Sequence, residues 1–173
     1  MEINNQRINY ERIMKAKGYS LWLLPTGKAY DKLSSLIQRL AKSYNAPIFE
    51  PHVTLIGEIM QSENDALRKT EQLASRQNSF RITLNSVDYQ DYYFRTLFIR
   101  AEKTNLLQAL HDRSKDVFEV KDVSDYMPHL SLMYGNFPKA VKEQIIKDIG
   151  NDHATEFTVN SLQLFKTDGE VNA

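Results

Sequence analysis

Two histidines in this 173-residue chain stand in nearly the same surroundings. Residues 51–57 read PHVTLIG and residues 128–135 read PHLSLMYG. Each copy carries a proline, a histidine, an aliphatic residue, a hydroxyl residue, a leucine, another apolar residue and then a glycine nearby. One H-x-[ST] triplet says little, but two copies sharing the flanking proline and leucine are far more specific. In an extended strand, side chains at i and i+2 face the same side. His52 therefore shares a face with Thr54, and His129 with Ser131, while Val53, Leu55, Leu130 and Leu132 point away toward a core. Two such strands side by side would bring two imidazoles and two hydroxyls together.

That set suits the hydrolysis of a phosphodiester. One group must take a proton from water and another must protonate the leaving oxygen, and histidine can do either near neutral pH. Hydroxyls can donate to the non-bridging oxygens as negative charge builds on the phosphorus. The chemistry needs no metal. The chain has no cysteine and no close H-x-x-x-H, so the residues suggest no zinc site. The two other histidines read as ordinary positions: His111 as a flank residue of a helix, His153 in a polar turn after Gly150. Trp22, in an apolar run, and Tyr134, just past the second motif, are aromatic candidates for contact with a substrate, although a tryptophan in such a run more often belongs to a core.

The elements that must carry these residues can be read from the periodicity. An apolar strand spans Tyr19 to Pro25 and a helix runs from about Ala29 to Tyr44, with Leu33, Leu36, Ile37 and Leu40 on one face. His52 to Met60 is a strand. A helix opening at Ser62 has Ala66, Leu67, Leu73 and Ala74 as its inner face. Residues 79–89 alternate and pair with Leu97-Phe98-Ile99 in a hairpin. A third helix covers Thr104 to Phe118, with Thr104 or Asn105 as cap. The second motif makes a strand at 129–134. A fourth helix lies between Pro138 and Gly150, and one last strand runs over about 156–166. This order, β α β α β β α β α β, is that of an α+β domain. The 22 basic residues balance the 22 acidic ones, which favours a small ligand over long nucleic acid. No run is long enough for a membrane span, and the N-terminal stretch lacks the apolar segment of a secretory signal. A cytoplasmic monomer is the expectation.

At the two motifs the chain resembles the 2H phosphoesterase superfamily, whose signature is a pair of H-x-[ST]-hydrophobic motifs roughly half a chain apart. Within it, YSLWLLP, PHVTLIGEI and PHLSLMYG are similar to the plant- and yeast-type cyclic phosphodiesterases, and the similarity extends from about Tyr19 to Phe165. The resemblance implies a bilobal fold of two antiparallel sheets flanked by helices around a central cleft. Residues 1–17 would be a polar arm and 18–173 one bilobal domain. It implies cofactor-free, metal-independent hydrolysis of a nucleoside 2′,3′-cyclic phosphate or ADP-ribose 1″,2″-cyclic phosphate to a phosphomonoester, in nucleotide metabolism or RNA and tRNA processing. His52 and His129 would be the catalytic pair, with His129 as base and His52 as acid, although the residues themselves do not rank the two. Thr54, Ser131, Tyr134 and Trp22 would contact the substrate. Two other readings stay open. One is a 2′-5′ RNA ligase-like enzyme, which would act on RNA 2′,3′-cyclic phosphate or 2′-5′ oligonucleotides. The other is a noncatalytic nucleotide-binding module.

Overall fold

The computed structural model describes residues 15–121, 124–167 and 169–170. In chain order the elements are β1 (Lys15–Ala16), β2 (Tyr19–Leu23), α1 (Gly27–Tyr44), β3 (Val53–Ile59), α2 (Glu63–Ala74), β4 (Phe80–Asp88), a 3-10 turn (Tyr93–Arg95), β5 (Leu97–Ala101), α3 (Asn105–Phe118), β6 (His129–Met133), α4 (Lys139–Ile149), β7 (Asp152–Val159), β8 (Gln163–Lys166) and β9 (Gly169–Glu170). Of the polar arm expected over 1–17, residues 1–14 lie outside the described residues, and β1 pairs with β9.

The helices form where local chemistry favours them. Ser62 caps α2 by accepting from the Asp65 amide at 3.2 Å, and Thr104 caps α3 by accepting from the Leu107 amide at 3.2 Å, each satisfying one free donor of the first turn. Asn45, in the left-handed conformation with φ 50°, ends α1. The inner face of α2 is Ala66, Thr70 and Leu73, so the expected places of Leu67 and Ala74 there are corrected: Leu67 is 45% exposed and Ala74 is exposed as well. Steps of four and three residues keep Ala66, Thr70 and Leu73 on one stripe, whereas Leu67 is a further 100° round the helix. His111 lies on the buried face of α3 with Leu107, Leu110, Ser114 and Phe118, not on its flank.

Seven strands form one antiparallel order, β7-β4-β5-β6-β3-β2-β8. The two antiparallel sheets expected of two lobes are its halves, β7-β4-β5-β6 and β3-β2-β8. They meet at β3 and β6, whose one registered pair is Val53 with Leu130. The single last strand expected over 156–166 is instead two: β7 pairs with β4, and β8 pairs with β2 at the opposite end of the order. The polar Asn160-Ser161 step is where the chain leaves one edge for the other. Helices cross between the halves, since α1 packs on β6 and α3 packs on β3. Each motif strand is thus covered by a helix from the other half of the sequence. Leu21, Leu23, Val53, Leu55, Ile99 and Leu130 form the fully buried centre. Among the described residues, no helix is long and apolar enough to cross a membrane.

Candidate active site

The register of β3 and β6 decides the site. With Val53 across from Leu130 in an antiparallel pair, His52 falls across from Ser131 and Thr54 across from His129. All four lie on the face opposite Val53 and Leu130. Diagonal positions of such a pair are about 7–8 Å apart between Cα atoms, which leaves room for one phosphoryl group between the two rings. The neighbouring strands extend this face. Trp22 on β2 is registered with Thr54, and Phe98 and Arg100 on β5 are registered with Ser131 and His129.

The two imidazoles are held in the same way. His52 Nδ1 is 2.6 Å from the Glu50 carbonyl, and His129 Nδ1 is 2.8 Å from the Met127 carbonyl. A carbonyl can only accept, so each Nδ1 carries the proton and each Nε2 is left as the reactive nitrogen. In both motifs the acceptor lies two residues back, on the far side of a proline. Proline keeps its predecessor extended and offers no N–H of its own, so the short segment returns its carbonyl to the ring. The repeated Pro-His step thus selects a tautomer.

The surroundings of the two rings differ. Burial pushes the His52 pKa down from 6.5 to about 4, with the Glu50 carbonyl opposing and the charge of His129 adding to the fall. The face of His52 is stacked by Trp22, with centroids 3.7 Å apart and planes at 8°. Phe165 stacks on Trp22 in turn at 4.0 Å. Because β3 and β8 flank β2 on opposite sides, the two rings cover both faces of the indole. Trp22 therefore reaches the site through His52 and offers a substrate only its edge. His129 is also lowered, first by burial and then by Arg95 and Arg100, against the Met127 carbonyl. Arg100 is fixed by an Nε bond to Asp88 at 2.8 Å, and Arg95 lies 4.8 Å from the centre of the Tyr92 ring. One end of the site is aromatic and the other cationic.

The hydroxyls also differ. Ser131 Oγ donates to the Phe94 carbonyl at 2.9 Å, while the Thr54 side chain makes no hydrogen bond among the described residues. Tyr134 stacks on Phe49 at 3.8 Å and meets the edge of Phe94. Burial pushes its hydroxyl pKa up, and a side-chain hydrogen bond with Ser131 works against the rise. It stays a neutral donor beside Ser131. The loop that supplies Phe94 and Arg95 is pinned from below by Lys142, 1% exposed, which donates to the Gln90 carbonyl at 3.1 Å and pairs with Asp91.

The structure brings together all six residues singled out from the sequence: His52, Thr54, His129, Ser131, Tyr134 and Trp22. His153 is elsewhere, on β7 rather than in the expected turn, with Nε2 donating to the Ile149 carbonyl at 3.0 Å. The site also includes Phe49, Phe165, Arg95 and Arg100, which no sequence motif marks. Only the alternation of Phe98 and Arg100 on β5 carried a usable signal.

The profile of the cyclic phosphodiesterase-like protein family matches residues 16–172. The chain is 26% identical over 161 residues to a cyclic phosphodiesterase of Arabidopsis thaliana, covering 91% of this chain and 89% of that protein. It is 30% identical over 137 residues to a 2′,3′-cyclic-nucleotide 3′-phosphodiesterase of Phaeosphaeria nodorum, covering 70% of each. The fold is shared with crystalline LigT of E. coli, at a TM-score of 0.58 and 16% identity over 88% of both chains. The chain thus belongs to the cyclic phosphodiesterase-like family, and it is a phosphodiesterase.

Proposed function

We propose that the chain opens a small cyclic phosphodiester, a nucleoside 2′,3′-cyclic phosphate or ADP-ribose 1″,2″-cyclic phosphate, to a phosphomonoester. The observation that carries this reading is the square of His52, Thr54, His129 and Ser131 across the β3–β6 seam, with both Nε2 atoms freed by the Nδ1 bonds. The names of the Arabidopsis and Phaeosphaeria relatives support the substrate class. The site works in a single chain on a small ligand, without long nucleic acid or membrane.

The electrostatics favour a reversal of the roles that the resemblance implies. With His52 held down to about 4, its Nε2 is an unprotonated base at neutral pH. His129 is lowered partly by two arginines, and an anionic phosphate between them offsets that repulsion. His129 therefore takes up a proton as the substrate binds and becomes the acid. In the reaction, His52 Nε2 removes a proton from water and the water oxygen bonds to phosphorus. The ring P–O bond breaks, and the His129 Nε2 proton passes to the leaving ribose oxygen. Thr54 donates to a non-bridging oxygen, and Ser131, with Tyr134 behind it, does so once its hydroxyl turns from the Phe94 carbonyl.

Phosphorus NMR over a panel of cyclic phosphates, including RNA ends with a 2′,3′-cyclic phosphate, identifies substrate and product together. His52→Ala and His129→Ala should each lower kcat by about 10²–10⁴-fold, and the double variant should fall little further because the two act as a unit. Full turnover in the double variant would sink the reading.

A further inference from the structure

A third imidazole lies behind the motif strands, unused by the chemistry above. His111 is 8% exposed, and its Nδ1 donates to the Leu55 carbonyl at 2.7 Å. Its ring stacks on Tyr126, with centroids 3.9 Å apart and planes at 4°. Tyr126 belongs to the segment leading into β6, and its hydroxyl donates to the Thr54 carbonyl at 3.0 Å. One stacked pair thus holds two consecutive carbonyls of β3, one of them on the phosphate-facing threonine. One ring of the pair comes from α3 and the other from the approach to the second motif. Burial pushes the Tyr126 pKa up, so the hydroxyl remains a donor.

This tie matters because the seam is thin. β4 and β7 are registered at six positions, whereas β3 and β6 are registered only at Val53 and Leu130. One pair constrains the separation of the strands weakly. Proton transfer across the seam is sensitive to it, since a misplacement of about 1 Å can cost about 10²-fold in rate.

We propose that His111 and Tyr126 are positioning residues that fasten β3 to the approach of β6 and so set the spacing of His52 and Thr54 against His129 and Ser131. The kinetic consequence rests on the hydrolytic reading above; the fastening does not.

The test uses three variants of the full chain. Tyr126→Phe keeps the stack and loses the hydroxyl. His111→Ala loses ring and donor. His111→Asn restores an amide donor near the Nδ1 position. Amide hydrogen exchange, followed by NMR, is read at Thr54, Leu55, Leu130 and Ser131, with the β4–β5 amides as the internal control. Seam amides should exchange about tenfold faster in Tyr126→Phe and His111→Ala, the effect of losing one hydrogen bond. The control amides should not change, and His111→Asn should recover to within about twofold. On a nucleoside 2′,3′-cyclic phosphate, kcat should fall about tenfold with KM moving less than about twofold, again with recovery in His111→Asn. Wild-type exchange at the seam overturns the proposal, as does equal acceleration at the control amides, which would mean general loosening. His111→Asn behaving like His111→Ala, or a loosened seam with wild-type kcat, overturns it as well. If the wild-type protein turns over no cyclic phosphate, the hydrolytic reading fails and the exchange result alone decides the fastening.

Discussion

His52 should stay uncharged in the free protein down to about pH 4, and this has a consequence for stability that can be measured apart from catalysis. Charging the ring in place costs about 3 kcal/mol more than charging it in the unfolded chain, at 1.36 kcal/mol for each pKa unit. The unfolded chain takes the proton near 6.5 and the folded chain only near 4. Between those values the unfolded state binds more protons, so stability rises with pH. The contribution is intact above about pH 6.5 and is lost as the pH falls. The loss from this one group is about 2 kcal/mol at pH 5 and saturates at about 3 kcal/mol below pH 4. Denaturant unfolding of the wild-type protein and of His52→Gln from pH 7.5 to 4.5 reads this difference. The variant should lack about 2 kcal/mol of the wild-type loss between pH 7 and pH 5, since His129 titrates in both proteins. NMR of the His52 ring should place its midpoint near 4, and the acid limb of kcat/KM should extend well below pH 6, because that limb reports the base of the free enzyme. A His52 midpoint at or above 6.5, or equal pH slopes in the two proteins, would refute the burial argument and with it the assignment of His52 as base.

Trp22→Leu removes the ring stacked on His52 and admits water, so the His52 midpoint should rise toward 6.5; an NMR midpoint still near 4 would mean that the indole is not what dehydrates the imidazole. Thr54→Val keeps the β-branched shape and deletes a hydroxyl that makes no other hydrogen bond among the described residues. It should lower kcat about 10²-fold with an unchanged melting temperature, the usual loss for one donor to a developing oxyanion. Gly18→Ala should destabilise the protein by about 1–3 kcal/mol in denaturant melts. The residue sits at φ +70°, and a Cβ there would lie 2.3 Å from the Ile59 carbonyl oxygen.

The motif pair was legible because strand alternation is local. Once residues 52–55 and 129–132 are extended, His52 and Thr54 must share a face, as must His129 and Ser131, whatever the rest of the chain does. The helices were legible for a similar reason: the stripe on α1 and the caps Ser62 and Thr104 depend on neighbours within a turn or two. Strand pairing is set by partners far away in sequence, and there the reading stopped. Residues 156–166 read as one strand broken only by the polar Asn160-Ser161 step, yet β7 and β8 lie at opposite ends of the sheet order, because each completes a different edge. The expected place of Leu67 inside α2 failed because hydrophobicity alone does not say which of two adjacent stripes meets the sheet.

By itself, then, the sequence determined the four chemical groups and their pairing within each strand, while the carbonyl contacts of the folded Pro-His steps show which nitrogen of each ring is free. Only the tertiary structure decided how the two motifs face one another, because the register of β3 on β6 is a long-range choice. It also made the two histidines unequal. Burial under Trp22 and Phe165 at one end, and the approach of Arg95 and Arg100 at the other, come from elements distant in the chain. Desolvation and Coulomb interaction depend on distance in space, and two similar short motifs carry no record of it.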